Sequence, residues 1–244
     1  MVRRVSTKAR VPRLEPIAPR VWLLRGGLTR LMNVYLLEED DGVVVFDSGE
    51  KGMASAIAAA AARLGGINRV VLGHGDTDHR GAAPELAKVA PVLCHPDAVA
   101  QAEGSGGRDY WHMERLPTAI RLLHRFTHRF IWDGGPVKIS GTVAAGERIA
   151  GFEVVELAGH APGQIGLWRE SDGVALVSDT VYLTTMLGRP TAPHVPHEAY
   201  NLDTAAARES IRRLAALRPR VIGVGHLGPM TGPDVVAELE AAVR

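Results

Sequence analysis

The chain has a single cysteine, Cys94, so no internal disulfide can form, which suits a reducing compartment. It has almost no charge imbalance. A formal net charge of +1 gives no electrostatic reason to expect nucleic acid or an acidic surface as a partner. No apolar run is long enough to span a bilayer. The basic start, MVRRVSTKARVPRLEP, lacks the apolar stretch of a secretory signal and reads as a solvated, partly frayed end. These absences point to a cytoplasmic chain without a membrane partner. What is present, 46% hydrophobic and 23% charged over 244 residues, is a globular composition long enough to bury a sizeable core.

The densest chemistry lies in RVVLGHGDTDHRG, Arg69 to Gly81. Four side chains able to bind a metal, His74, Asp76, Asp78 and His79, fall within six residues. An apolar β-type run precedes them and a helical pattern follows, so they sit on a strand-to-helix loop, where α/β folds place chemistry. In an extended loop His74, Asp76 and Asp78 alternate and can share a side, leaving His79 to aim elsewhere. Two carboxylates with two imidazoles suit zinc, iron or manganese rather than a soft thiolate metal. The bland alternative is a polar loop with capping aspartates, but a cap needs one Asp.

Apolar runs at Arg20–Leu24, Asn33–Leu37 and Val43–Phe46 read as strands, then Ala54–Leu64 as a helix stopped by Gly65-Gly66. Helices are expected at Ala82–Ala90 and from Asp97 to Ala102, with a short strand between them. Residues 108–132 hold much of the chain's aromatic content, with basic residues interleaved. They interrupt the alternation and read either as an inserted lid or homodimer contact, spanning about 104–136, or as an ordinary helix pair. Strands follow at Val137–Ile139, Thr142–Ala144, Phe152–Leu157, within Gly159–Trp168, and at Val174–Val177. Residues 183–203 read as a long Pro-containing loop. A helix at Thr204–Ala216, capped at Asp203 or Thr204, a strand at Val221–Val224 and a helix at Pro233–Val243 close the chain. Strands then helices, twice over, predict one α/β domain over 1–244, two sheets face to face with helices outside.

Three further polar residues end apolar runs: His160 after EVVELAG, Asp179 after VALVS and His226 after VIGVG. If these strand ends share one edge, seven residues converge. One ion can then take His74, Asp76 and His160, a second Asp78, His79 and His226, with Asp179 between them. A lone His at a strand end is more often a core or surface residue. That reading weakens for Gly159-His160 and Gly225-His226, where glycine lets the backbone turn sharply.

The ordered set from NVYLL and VVVFDSG through HGDTDHRG and GHAPGQIGLW to SDT and GHLGP resembles the metallo-β-lactamase superfamily over most of the chain. The resemblance implies a four-layer αβ/βα sandwich and metal-dependent hydrolysis. It also implies a ligand set that falls here on His74, Asp76, Asp78, His79, His160, Asp179 and His226. Asp76 is a departure, standing where the family usually has a second His. An oxygen ligand there shifts the first site toward a harder ion, or serves only as a hydrogen-bond partner. Asp47, at the end of VVVF, matches a family carboxylate that supports the metal loop; a turn-forming Asp is the alternative. Tyr182 resembles the tyrosine that contacts substrate in the acyl-homoserine lactonase branch, where a phenol can donate to a developing oxyanion; core packing is the alternative.

The expectation is therefore a hydrolase with two divalent metal ions, zinc first, with iron or manganese as alternatives. A metal-bound hydroxide would attack an ester, thioester, lactone or related bond of a small molecule, and Asp78 would orient it and receive its proton. The absence of an export signal argues against a β-lactamase proper. An iron-dependent oxygenase or oxidoreductase, or a non-catalytic metal-binding protein, is the alternative. Tyr110, Trp111, His112 and Trp132 could wall an apolar cleft, or simply pack; His194 and His197 are expected at the surface, and Cys94 as a buried apolar residue.

Overall fold

The computed structural model describes residues 12–244. Two β-sheets lie face to face with helices on both outer sides. The first sheet runs β1 (Leu14–Ala18), β2 (Val21–Gly26), β3 (Met32–Glu39), β4 (Gly42–Phe46), β5 (Ile67–Val71), β6 (Val92–Cys94) and β7 (Gly141–Thr142) in spatial order. The second comprises β8 (Arg148–Ile149), β9 (Phe152–Glu156), β10 (Ile165–Arg169), β11 (Val174–Ser178), β14 (Val221–Val224) and β15 (Met230–Thr231). A separate hairpin pairs β12 (Tyr182–Thr184) with β13 (Pro190–His194).

The apolar runs sort by parity. On β3 and β4, Val34, Leu36, Val43 and Val45 face outward and pack under α1 (Ala54–Ala61) and α3 (Ala83–Leu86) through Ile57, Ala60 and Leu86. The alternate residues Tyr35, Leu37, Val44 and Phe46 face inward and meet Phe152, Val154, Leu167 and Leu176 of the second sheet. On that sheet Ala175, Val177, Ile222 and Val224 turn outward, under α5 (Thr204–Ala216) and α6 (Val235–Ala242). A strand buried on both faces has no polar phase, which is why VVVF and VALV read as unbroken apolar runs.

Several expectations change. The N-terminal end read as frayed falls on residues 1–11, outside the described residues, and partly on β1, where Leu14, Glu15 and Pro16 pair with Leu24, Leu23 and Trp22. Pro16 is tolerated because β1 is an edge strand. The 183–203 loop contains β13, whose Pro190 and Pro193 likewise sit in a two-stranded hairpin with no central neighbour. Residues 137–139 lie in no strand, and the helix expected from Asp97 is short turns over 96–98 and 101–105. By contrast α5 starts where its cap predicts: the Asp203 carboxylate accepts from Ala205 N and Ala206 N at 2.8 and 3.0 Å.

Between β6 and β7 the chain leaves the sheet and forms α4 (Thr118–Thr127) and a wide helical turn, His128–Trp132. Arg80 ties the base of this excursion to the body. Its guanidinium, buried completely, donates to Gln101 O and Ala102 O at 2.5 Å and to Gly104 O at 3.1 Å, with Asp133 at 3.5 Å. No helix among the described residues is long and apolar enough to cross a membrane.

Candidate metal centre

Parallel pairing sets the site. β4 pairs parallel with β5, and β11 parallel with β14, so the carboxyl ends of all four strands open at one edge. Asp47 follows β4, His74 follows β5 by a short loop, Ser178 ends β11 with Asp179 next, and His226 follows β14. His160 comes from the β9–β10 connection. The two sheets are stitched together here: Asn33 Nδ2 and Tyr35 Oη both donate to Val224 O, at 2.9 and 2.7 Å.

Two clusters result. His74, His160 and Asp179 bring one donor atom each within 4.8 Å of one another, and so do Asp78, His79 and His226. Asp179 lies between them, its Oδ2 3.2 Å from His226 Nε2 and 3.8 Å from His160 Nε2. Asp76 flanks the first cluster, its Oδ2 3.5 Å from His160 Nε2 and 3.7 Å from His74 Nδ1. The alternation expected of an extended loop fails for Asp78. Residues Thr77–Arg80 form a helical turn, α2, which sends Asp78 toward His226 at 3.6 Å, on the side of His79.

Buried neighbours hold the imidazoles. Asp47 Oδ2 lies 2.9 Å from His79 Nδ1 and accepts from Ser178 Oγ at 2.7 Å, while its Oδ1 accepts from Gly73 N at 2.8 Å. Asp47 is thus an orienting group rather than a bare turn residue, which leaves His79 Nε2 free for the cluster. His160 Nδ1 lies 3.2 Å from Asn201 Oδ1, and Asn201 Nδ2 donates to Pro196 O at 2.8 Å. No local motif marks Asn201; only its place before the Asp203 cap hints at order there.

The glycines act differently from one another. Gly159 has φ +125°, a conformation that suits glycine, and a Cβ there would overlap the Ala207 backbone. Gly225 needs no positive φ; it is required because a Cβ would overlap Asp179 Oδ1 and come within 2.6 Å of His79 Cε1.

Residues from the excursion reach in. The Tyr110 hydroxyl donates to both oxygens of Asp76, and Trp111 Nε1 donates to Oδ2 at 3.3 Å. Tyr110 is therefore a buried partner of Asp76 and not a cleft wall. His112, beside Glu114 at 3.2 Å, does not line the cleft either. Trp111 and Trp132 do, together with His124, Met186 and Tyr200, around a cavity of about 140 Å³ that opens on the metal-type ligands. Tyr182 lines it as well; its hydroxyl donates to Asp179 Oδ2 at 2.8 Å, so it is not simply core packing. His194 and His197 make local backbone contacts and lie outside it. Cys94 is buried.

The donor set fits cations. Burial opposes ionisation of Asp76, yet the imidazoles of His74 and His160 hold its carboxyl well below the usual range. Asp179 behaves likewise against His226 and His79. In return, and against burial, Asp179 and Asp47 raise His79, and Asp179 and Asp78 raise His226. Two buried atoms, His74 Nε2 and Asp179 Oδ1, have no hydrogen-bond partner. Such atoms are costly unless a ligand completes them. Four carboxylates, Asp47, Asp76, Asp78 and Asp179, against neutral imidazoles would balance two divalent cations.

A family model described as the metallo-beta-lactamase superfamily matches residues 30–226. The chain is 27% identical over 235 residues to the probable metallo-hydrolase YflN of Bacillus subtilis (strain 168), covering 87% of each. Among solved structures it is similar to the metallo-beta-lactamase family protein TTHA1429 from Thermus thermophilus. There the identity is 24% and the TM-score 0.68, over 93% of this chain and 79% of that one. It is also similar to TTHA1623, solved in a di-iron-bound form. That match has 23% identity and a TM-score of 0.63, over 90% of this chain and 98% of the other.

Proposed function

The chain belongs to the metallo-beta-lactamase superfamily, and from that premise we infer that it is a metal-dependent hydrolase of small molecules that cleaves an ester, thioester, lactone or related bond. The observation that carries this reading is the pair of three-residue clusters meeting at Asp179. His74, His160 and Asp179, with Asp76 alongside, would hold one ion; Asp78, His79 and His226 would hold the other. Held there, two divalent cations would supply acidification of a water toward a pKa of ~7 and polarisation of the bond under attack.

The protein's own groups do the rest. Asp78, half-buried at the cleft, is placed to orient the attacking water and accept its proton. Burial and the Asp179 carboxylate raise the Tyr182 phenol well above its ordinary value, so it stays a donor at neutral pH. It can shift that donation from Asp179 to an oxyanion developing in the cleft. Trp111, Trp132 and Met186 exclude water from the reacting bond.

Zinc is the proposed metal pair. The oxygen donor of Asp76 supports a second reading with iron or manganese, in line with the di-iron form named for TTHA1623. The relative's name, probable metallo-hydrolase, supports hydrolysis over oxygen chemistry. The lone buried Cys94 supports a cytoplasmic setting, and the near-neutral charge a substrate other than nucleic acid. Exposed Leu122, Phe126 and Phe130 support the excursion over about 104–136 as a homodimer contact within a single 1–244 domain.

The test combines elemental analysis of protein purified without added metal with a panel of chromogenic esters, thioesters and lactones. Bound zinc and turnover that falls about 10²–10⁴-fold in Asp78→Ala are expected. Turnover indifferent to that substitution overturns the role of Asp78, and bound iron with oxygen uptake would replace hydrolysis by oxidation.

A further inference from the structure

A second and larger cavity, about 920 Å³, lies against the metal cleft. The two share a wall: Trp111 and His124 line both. The metal cleft alone, at about 140 Å³, is far below the roughly 300–1,000 Å³ that buries a typical small ligand. A substrate larger than this would place its reacting end there and extend beyond it.

The larger cavity is strongly basic. Arg121, Arg125 and Arg129 recur every fourth residue along α4 and the turn after it, and Arg108 joins them on the lining. None of the four has a carboxylate within 4.0 Å among the described residues. The lining contains one acid, Asp133, and the guanidinium of Arg80 already engages it at 3.5 Å. Like charges four apart on a helix repel, so the row costs stability on its own. His128, 9% exposed in the same wall, has an Nε2 with no hydrogen-bond partner. All four arginines are exposed, and α4 itself carries no acid to answer them.

We propose that this cavity binds the phosphate-bearing half of the substrate, so that the ester or thioester cleaved is one joined to a phosphorylated carrier. Guanidinium forks match phosphate oxygens two at a time, and four unpaired ones suit a group with several negative charges. The assignment of the occupant as substrate rests on the hydrolase reading; the anion site itself does not.

The probe is ADP without added magnesium, titrated calorimetrically into the metal-loaded full-length protein. Three forms are compared: the parent, Arg121→Gln/Arg125→Gln, and His226→Ala. ADP is expected to bind the parent and His226→Ala alike, and to bind the double variant at least about 10-fold more weakly. Binding to the parent should also weaken steeply with added NaCl. Arg108→Gln and Arg129→Gln, on separate segments, give the same reading if the double variant does not fold. No binding to the parent overturns the proposal. So does binding lost in His226→Ala but kept in the arginine variants, which would put the anion at the metal ligands. Hydrolysis of neutral esters with no ADP binding sinks this inference and leaves the enzyme reading standing. ADP binding with no turnover of any ester does the reverse.

Discussion

Tyr110 donates its hydroxyl to both carboxylate oxygens of Asp76, at 2.5 and 2.6 Å, across 34 residues of sequence. The residue that departs from the usual imidazole is thereby clamped by a group from the excursion between β6 and β7. Burial, then the Asp76 charge, push the Tyr110 phenol well above its ordinary value, so it remains a donor at any working pH. Tyr110→Phe removes the closest donor to Asp76 and leaves Trp111, with His160 and His74 farther off. Metal affinity or turnover should fall about 10–100-fold, the usual cost of losing an outer partner of a ligand. Chelator competition with the purified variant reads it, and unchanged affinity and turnover would show that Asp76 needs no clamp.

Asp47 can be tested without disturbing the backbone. Its φ is +60°, and Asn tolerates that conformation about as well as Asp does. Asp47→Asn keeps the shape but sets an amide N–H₂ where a carboxylate oxygen met His79 Nδ1, Ser178 Oγ or Gly73 N. The expected result is loss of metal from the His79 cluster and destabilisation by about 1–3 kcal/mol. Metal stoichiometry and denaturant melts measure the two effects separately.

Gly225→Ala tests close approach. The added methyl overlaps Asp179 Oδ1 and crowds His79, so Asp179 must swing away from both clusters. Metal content should fall at both sites, because Asp179 lies between them, while the remote helical layers still fold. Full metal occupancy in this variant would mean that the carboxylate has more room than the structure gives it.

His124 supplies a pH dependence away from the ligands. Burial among Trp111, Trp132 and Tyr200 pushes its pKa down from 6.5 to about 4. A histidine held neutral contributes stability that is complete above the unfolded value near 6.5. That stability is lost as pH falls toward 4, when the unfolded chain takes up a proton the folded chain refuses. The shift corresponds to about 3 kcal/mol at most. In metal-stripped protein, urea melts from pH 7 to pH 4 should show a shallower loss for His124→Gln than for the parent. Parallel curves would mean that His124 is protonated in the fold.

Much of this was legible in the linear chain. The strands β3, β4, β11 and β14 and the helix α5 follow from apolar runs and one aspartate cap. The His74–His79 segment announces metal chemistry because four donor side chains in one short loop have no other economical use. His160, Asp179 and His226 stand out as polar residues ending apolar runs, and the resemblance then implies that they are ligands. The sequence by itself decided the kinds of donor atom and the edge of the sheet at which they would emerge.

Tertiary structure decided how that grouping is reached. The residues alone already placed Asp78 with His79 and His226, and the helical turn at Thr77–Arg80 is what brings Asp78 to that side. Tyr110, Asn201 and Arg80 carry no local mark, since each acquires its role only when folding sets it beside Asp76, His160 or the carbonyls of residues 101–104. The basic residues of 108–132 read on paper as part of a lid, a homodimer contact or an ordinary helix pair, and only the fold gathers four arginines around one cavity. Covalent order sets which groups a chain can offer. Which of them meet is settled by packing two sheets until their polar ends have only one another for partners.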